Sequence, residues 1–400
     1  MIDKQGDRFT QDDTLPPGPS LFQALASRST SDLTQADLGY SGPAPGKATL
    51  KLGYALRLDG DGYDNYGLIG ETSGTATPDP TQSDLYRFDQ TVQSVFATYE
   101  RPLGKWTILL GLRVEAVHIA IDDITTAVHD TQDYDRALPS LHLAYAVDDR
   151  QQLIFSYGHR LNRPTPTDFN PFRIEQDPLH FRVGNPTLKP EDIDAFEAGY
   201  QFKDGGATYL ASLYYHHNEH GVTDVVTTLA DGALLTSREN LTESQAIGLD
   251  LQASGKLTRT LSYAVSGNVY WTEIDASGIG FPDDRSAFTV SGKASLSWQV
   301  TPKDLIQLNA SQRGEQLLPQ GYRSPMLLTT FGYRHKLDER WSFTVTANDV
   351  LNTYRLRTVI QTPELYDRLD DSAHIQAAYV GLSYTFGQGG AKPSSFDFGG

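Results

Sequence analysis

The chain has 400 residues, no Cys, two Met and a formal charge of −17. The missing Cys excludes a disulfide framework and thiol chemistry, and the acidic balance argues against a nucleic-acid partner. Only 38% of residues are apolar, and no uninterrupted apolar stretch approaches the ~20 residues of a helical membrane span.

Met1–Asp7 carry neither the basic start nor the apolar run of a signal peptide. Residues 1–27 are expected to form an irregular segment or external loop. Fifteen strand-like segments follow, at about 28–40, 48–58, 86–99, 106–120, 136–147, 151–160, 191–203, 207–229, 233–254, 261–274, 286–299, 304–313, 324–336, 340–361 and 373–386. In the fourth, Trp106, Ile108, Leu110, Leu112 and Val114 share one face, against Thr107, Gly111, Arg113 and Glu115. Leu261, Tyr263, Val265, Gly267, Val269 and Trp271 repeat the device. So do Phe288, Val290, Gly292, Ala294, Leu296 and Trp298, which oppose Thr289, Ser291, Lys293, Ser295 and Ser297. Period two with one apolar face means a strand wet on one side only.

Short turns are expected at 41–47, 101–105, 147–150, 203–206, 255–260, 301–304 and 336–340. They alternate with long connections at 59–85, 122–135, 161–190, 275–285, 314–323 and 362–372, and a tighter one at 230–232. Trp106, Trp298 and Trp341 stand beside short turns, where an indole would meet the edge of a bilayer. The pattern predicts an all-β, antiparallel transmembrane β-barrel over 28–386, short turns on one side and long loops on the other. Arg113 and Glu115 are then expected to face the lumen. Fifteen crossings is odd where single-chain bacterial barrels are even. The barrel is therefore expected to be incomplete, with about 14–16 strands of a larger number. Residues 387–400 are Gly-rich and expected to be a disordered tail.

The segment from Tyr134 to Phe202 is the most distinctive. It holds Leu138-Pro139-Ser140-Leu141, Phe155-Ser156-Tyr157-Gly158-His159-Arg160-Leu161-Asn162-Arg163-Pro164, Asn170-Pro171-Phe172, Gly184-Asn185-Pro186-Thr187-Leu188-Lys189-Pro190-Glu191 and Phe196-Glu197-Ala198-Gly199-Tyr200. Together with Asn348-Asp349-Val350-Leu351-Asn352 and the closing run Val380–Phe386, this resembles the C-terminal barrel of TonB-dependent outer-membrane receptors, their outer-membrane β-barrel family. The resemblance covers most of 28–386. It implies a bacterial outer-membrane location, lipid contact and uptake of a small nutrient ligand, of the siderophore, vitamin or glycan class. The plug domain and TonB box of that family have no counterpart in the first residues, so the TonB complex is a partner only if both are encoded upstream. The alternative is a truncated, plugless barrel acting as a passive pore or surface binding protein. The motif residues Arg160, Asn170, Pro171, Gly184, Asn185, Pro186, Pro190, Glu191 and Glu197 are read as structural, since prolines fix φ and stiffen a loop before it re-enters a strand.

His216-His217-Asn218-Glu219-His220 supplies the metal candidates, His216 and His220, which share one strand face. Polar lumen residues are the preferred reading, since gathering the other ligands would need a bulge after Asn218. Asp122-Asp123 and Asp283-Asp284 are read as solvated loop charge. No nucleophile elbow or zinc-protease motif occurs. The chain is expected to be no enzyme and to need no cofactor.

Overall fold

The computed structural model describes residues 2–10, 21–177, 179–363, 365–371 and 375–386. Among them, sixteen strands form one antiparallel sheet in which neighbours follow chain order. They are Ile2–Thr10, Leu21–Ala44, Ala48–Gly70, Thr77–Leu103, Trp106–Asp123, Val128–Ala146, Gln151–Asn162, Glu191–Asp204, Ala207–Glu219, Glu243–Lys256, Leu261–Ala276, Phe281–Gln299, Asp304–Arg313, Met326–Lys336, Trp341–Asn348 and Ala377–Tyr384. Two four-stranded sheets belong to the long connections. One joins Ile174–Asp177, His180–Arg182, Val222–Thr228 and Leu234–Asn240; the other joins Gln316–Leu318, Gly321–Arg323, Leu356–Gln361 and Tyr366–Asp371.

Alternation sets the two faces of the wall. Phe288 and Val290 are 68% and 50% exposed, while Thr289 between them is 2% exposed. The outward apolar residues continue down that strand to Trp298, which pairs with Leu261 across the ladder. Rings gather at the short-turn end, with Trp106 4.7 Å from Tyr145 and Trp341 4.7 Å from Tyr384. An outward apolar band closed by aromatic rings is a surface built for lipid.

The pattern changes phase partway up the wall. Along Trp106–Asp123 the apolar residues point outward as far as Val114. Above Glu115 they point inward instead: Val117, Ile119 and Ile121 are each 3% exposed or less. Thr77–Leu103 behaves alike, with Val95 outward and Tyr86, Phe88 and Val92 buried on the inner side. A strand leaving the bilayer has water outside and can keep its interior dry only by reversing its apolar face. Glu115 therefore marks the outer lipid boundary of this wall.

The short turns fall where expected, and four of the seven share one construction. Asp148 accepts the N–H groups of Arg150 and Gln151, and Asp338 those of Arg340 and Trp341. Thr258 and Thr301 serve their own turns in the same way. A side-chain oxygen two or three residues ahead thus satisfies the N–H groups that the hairpin leaves free. Other turns use residues with positive φ, including Gly46, Gly104, Gly205 and Gly206.

Several expected boundaries need correction. Residues 2–10 and 21–27, expected to be irregular, are strands paired with each other from Ile2↔Ser29 to Thr10↔Leu21. The wall accordingly has sixteen described strands, one more than the fifteen segments read and within the 14–16 expected. The connections at 59–85 and 122–135 are mostly strand, leaving only residues 71–76 and 124–127 between strands. Their charges and glycines read as loop because they sit on the upper wall, where the outward face is wet. Ala48–Gly70 has 23 residues, roughly 75 Å at ~3.3 Å each, against the ~9–11 residues of a tilted crossing.

Three expected single strands also break in two. At 207–229 the break follows Glu219, where His220 takes φ 60° and its carbonyl accepts from Asn240 Nδ2 at 2.6 Å. The partner break, at 233–254, falls at Leu241 and Thr242, and the Leu241 N–H returns to the Gly221 carbonyl. At 340–361 the Asn348–Asn352 motif stops the strand. Asp349, 1% exposed and at φ 46°, accepts the N–H groups of Thr353 and Tyr354. The expected 387–400 tail lies outside the described residues.

Candidate functional site

Above Glu115 the dry inner wall receives the segment between Asn162 and Glu191. Its Phe169, fully buried, stacks on Phe88 with centroids 5.6 Å apart. Tyr86, Phe88, Val92, Val117, Ile119, Ile121, Phe169 and Leu188 form one apolar cluster. Burying each of these side chains stabilises the packed segment by about 1.5–3 kcal/mol before entropy is counted. Tyr86 Oη also donates to the Pro166 carbonyl at 2.8 Å. Burial, with acidic neighbours adding to it, pushes the Tyr86 phenol far above its ordinary range.

The motif residues stand inside this packing. Asn170, 6% exposed, donates from Nδ2 to Asp84 at 2.7 Å and accepts the Phe172 N–H. Gly184 donates to the Asn170 carbonyl and Asn185 to the Asp168 carbonyl, both at 2.7 Å. A Cβ on Gly184 would stand 2.5–2.7 Å from those backbone atoms, so only glycine fits there. Asn185 Oδ1 accepts from Thr187, and its Nδ2 donates to Glu239 at 3.1 Å. Gln132 Nε2 donates to the Pro186 carbonyl. Pro171 is partly buried, and Pro190 is buried ahead of Glu191, which accepts from Asn162 Nδ2 at 2.9 Å.

Two charged knots hold the segment. At its base, Glu115 faces inward, 5% exposed, between Arg113 at 2.5 Å and Arg163; Arg163 Nε also donates to Tyr134 Oη. At its top, Asp224 takes Arg238 and Arg323, each at 2.8 Å, with Arg182 at 3.7 Å. Arg238 bonds Asp168 as well, at 2.7 Å. Burial opposes ionisation of Asp168, but the Thr165 hydrogen bonds and Arg238 outweigh it and hold the carboxyl below its usual range. Gln320 joins the two loop sheets: its amide both donates to and accepts from the Val226 backbone, as a neighbouring strand would.

Below this cap the inner wall is polar. A cavity of about 410 Å3 is lined by Gln35, Asp37, Arg57 and Ser94 beneath Arg113 and Arg163. A second, of about 460 Å3, has amides and hydroxyls around Lys293 mixed with Leu210, Ala294 and Leu328. Arg160 and Glu197 lie 3.8 Å apart on the inner face. His216 is near them, its ring 4.7 Å from Tyr214.

The structure does not bring His216 and His220 together. The ladder is regular through Asn218↔Ser244 and Glu219↔Glu243, without the bulge that gathering His217 and Glu219 onto their face would need. Four residues of strand separate the two by roughly 13 Å, and no metal-holding group of His, Cys, Asp or Glu occurs among the described residues. Asp122-Asp123 requires correction: Asp123 is fully buried, and its Oδ1 accepts the N–H groups of Thr125 and Thr126. Asp224, Arg182, Arg238, Arg323 and Gln320 were not anticipated, since they come from separate segments with no shared motif.

A lipid-facing wall with a polar interior and a packed external cap defines an outer-membrane barrel protein. The chain belongs to the outer membrane protein beta-barrel family, whose model matches residues 3–386. It is similar in fold to the copper transporter OprC, at TM-score 0.66 and 12% identity, over 96% of this chain and 61% of that one. The ferric citrate transporter FecA matches at TM-score 0.60 and 13% identity, over 96% and 57%. The ferric yersiniabactin receptor FyuA from Yersinia pestis matches at TM-score 0.58 and 14% identity, over 95% and 56%. The chain thus spans about three-fifths of the length of these transporters and this uptake receptor. Its place is the bacterial outer membrane.

Proposed function

We propose that this wall and cap are the barrel portion of a TonB-dependent receptor that takes up a small nutrient ligand, of the siderophore, vitamin or glycan class, across the outer membrane. The observation that carries the reading is the cap itself. Two loop sheets and the 163–190 segment are packed over a polar interior and tied there by Arg163, Arg238 and Arg323. A passive pore gains nothing from loops pinned in place by buried aromatic rings and ion pairs. Selectivity then resides in the external loops and lumen wall, and the chain acts as a receptor rather than an enzyme. Coupling to the TonB complex requires a plug and a TonB box joined to this barrel portion. The motif residues Asn170, Pro171, Gly184, Asn185, Pro186 and Pro190 serve as scaffold for the cap, and Arg160, Glu191 and Glu197 for its re-entry into the wall.

The test expresses the whole reading frame in a receptor-deleted host with ferric siderophore, cobalamin or maltodextrin as limiting nutrient. Growth on one of these that disappears in a TonB-deficient background is the expected result. Growth independent of TonB, with steady conductance in planar bilayers, would support the passive pore instead.

A further inference from the structure

The tie between the 163–190 segment and the wall passes through a buried pair of acids. Asp84 is 2% exposed and Asp123 fully buried, and both lie above the lipid boundary. One oxygen of each is satisfied. Asp84 Oδ2 accepts from Asn170 Nδ2 at 2.7 Å, and Asp123 Oδ1 accepts the Thr125 and Thr126 N–H groups at 3.0 Å. The other two oxygens, Asp84 Oδ1 and Asp123 Oδ2, have no donor among the described residues. Tyr86 is the ladder partner of Asp123, so Asp84, two residues along, is the diagonal neighbour of Asp123 on the same inner face.

Two ionised carboxylates cannot sit side by side in a dry interior without a large cost. One proton between them turns the repulsion into a short, charge-assisted hydrogen bond. It also satisfies both orphaned oxygens at once. We propose that Asp84 and Asp123 share a single proton, and that its loss, by leaving two buried like charges, unlatches the 163–190 segment from the wall.

The surroundings oppose double ionisation from each side. Asp61 and Tyr63 face the pair from Ala48–Gly70, and Tyr86 from the same strand as Asp84. Asp79, buried, lies further along that strand, and Glu175 approaches it through Gln82. Asp168, on the turn before Asn170, is already committed to Arg238. Burial pushes the Asp84 carboxyl up to about 6; the Asn170 hydrogen bond opposes this and the Asp123 charge adds to it.

The sign follows from linkage. A carboxyl raised in the latched state and ordinary in the open state favours latching fully below pH ~4 and loses that contribution as pH climbs through about 6. Tenfold per unit over that window gives a change of about 100-fold in the opening constant.

Hydrogen exchange of the refolded full chain, corrected for intrinsic rates, reads this directly in peptides from 163–190. Protection is expected to fall about 100-fold from pH 4 to pH 7, with the lipid-facing strands unchanged. In Asp84→Asn the amide oxygen still accepts from Asn170, and its N–H donates to Asp123 permanently, so protection should stay high at every pH. Asp123→Asn offers the same donor from the other side and serves if the first variant does not fold. A flat wild-type profile, or an Asn variant with the wild-type pH response, would overturn the proposal. So would protection governed at fixed pH by calcium and lost to a chelator, which would make the occupant a cation.

Discussion

Val265→Arg is expected to destabilise the wall by about 2–4 kcal/mol, the cost of an arginine near the bilayer midplane on the lipid side. Val265 is 47% exposed, third of six outward residues between Leu261 and Trp271. It pairs with Ala253 and Ala294, so no bulky neighbour covers it. Ser266→Arg, one residue on, should change stability by no more than about 0.5 kcal/mol. Ser266 lies on the opposite, interior face of the strand, where a guanidinium stays hydrated. Unfolding by denaturant in lipid bilayers measures both variants. Equal costs would mean that the two faces of this strand do not meet different solvents.

Glu115→Ala is the second large effect, and it is local. The carboxylate is almost fully buried between Arg113 and Arg163. Removing it leaves two guanidiniums facing each other at the base of the cap. Breaking one side of a buried ion pair costs about 3–5 kcal/mol, and the lower figure applies here because both arginines are partly exposed. The cost should appear as opening of residues 163–190, since the ladders on either side of Glu115 are untouched. Limited proteolysis should therefore cut within 163–190 in the variant, while heat-modifiable gel mobility stays that of a folded barrel. Loss of the mobility shift would mean that Glu115 supports the wall rather than the cap.

The lower wall was legible because one physical rule governs it. From Trp106 to Val114, and from Phe288 to Trp298, lipid on one side and water on the other write themselves as apolar and polar alternation. The short turns were legible for a different reason, since Asp148, Thr258, Thr301 and Asp338 sit where a hairpin needs an acceptor. The upper wall was not legible, because the same alternation changes phase at Glu115. A reader expecting outward apolar residues sees Asp59 to Asp64 as loop, although Asp59, Asp61 and Asp64 are paired in a continuous ladder.

The cap was hidden for a third reason. Asp224 meets arginines at positions 182, 238 and 323, and distance in sequence carries no trace of that convergence. Gly184 and Asn170 were recognised as a motif, but the reason only glycine fits, a backbone approach within 2.7 Å, is visible only in space. Asp123 reads as solvated beside Asp122 in the sequence. On a strand the two point to opposite faces, and above the lipid boundary the inner one is dry.

The central claim is that the wall crosses the outer membrane with its lipid boundary at Glu115. The chain has no Cys, so single cysteines at Leu110, Leu112, His118 and Ala120, all on the outward face, can each carry a fluorophore. Quenching by lipids labelled in the acyl chain should be strong at 110 and 112 and absent at 118 and 120. Equal quenching at all four positions, or none, would contradict the account.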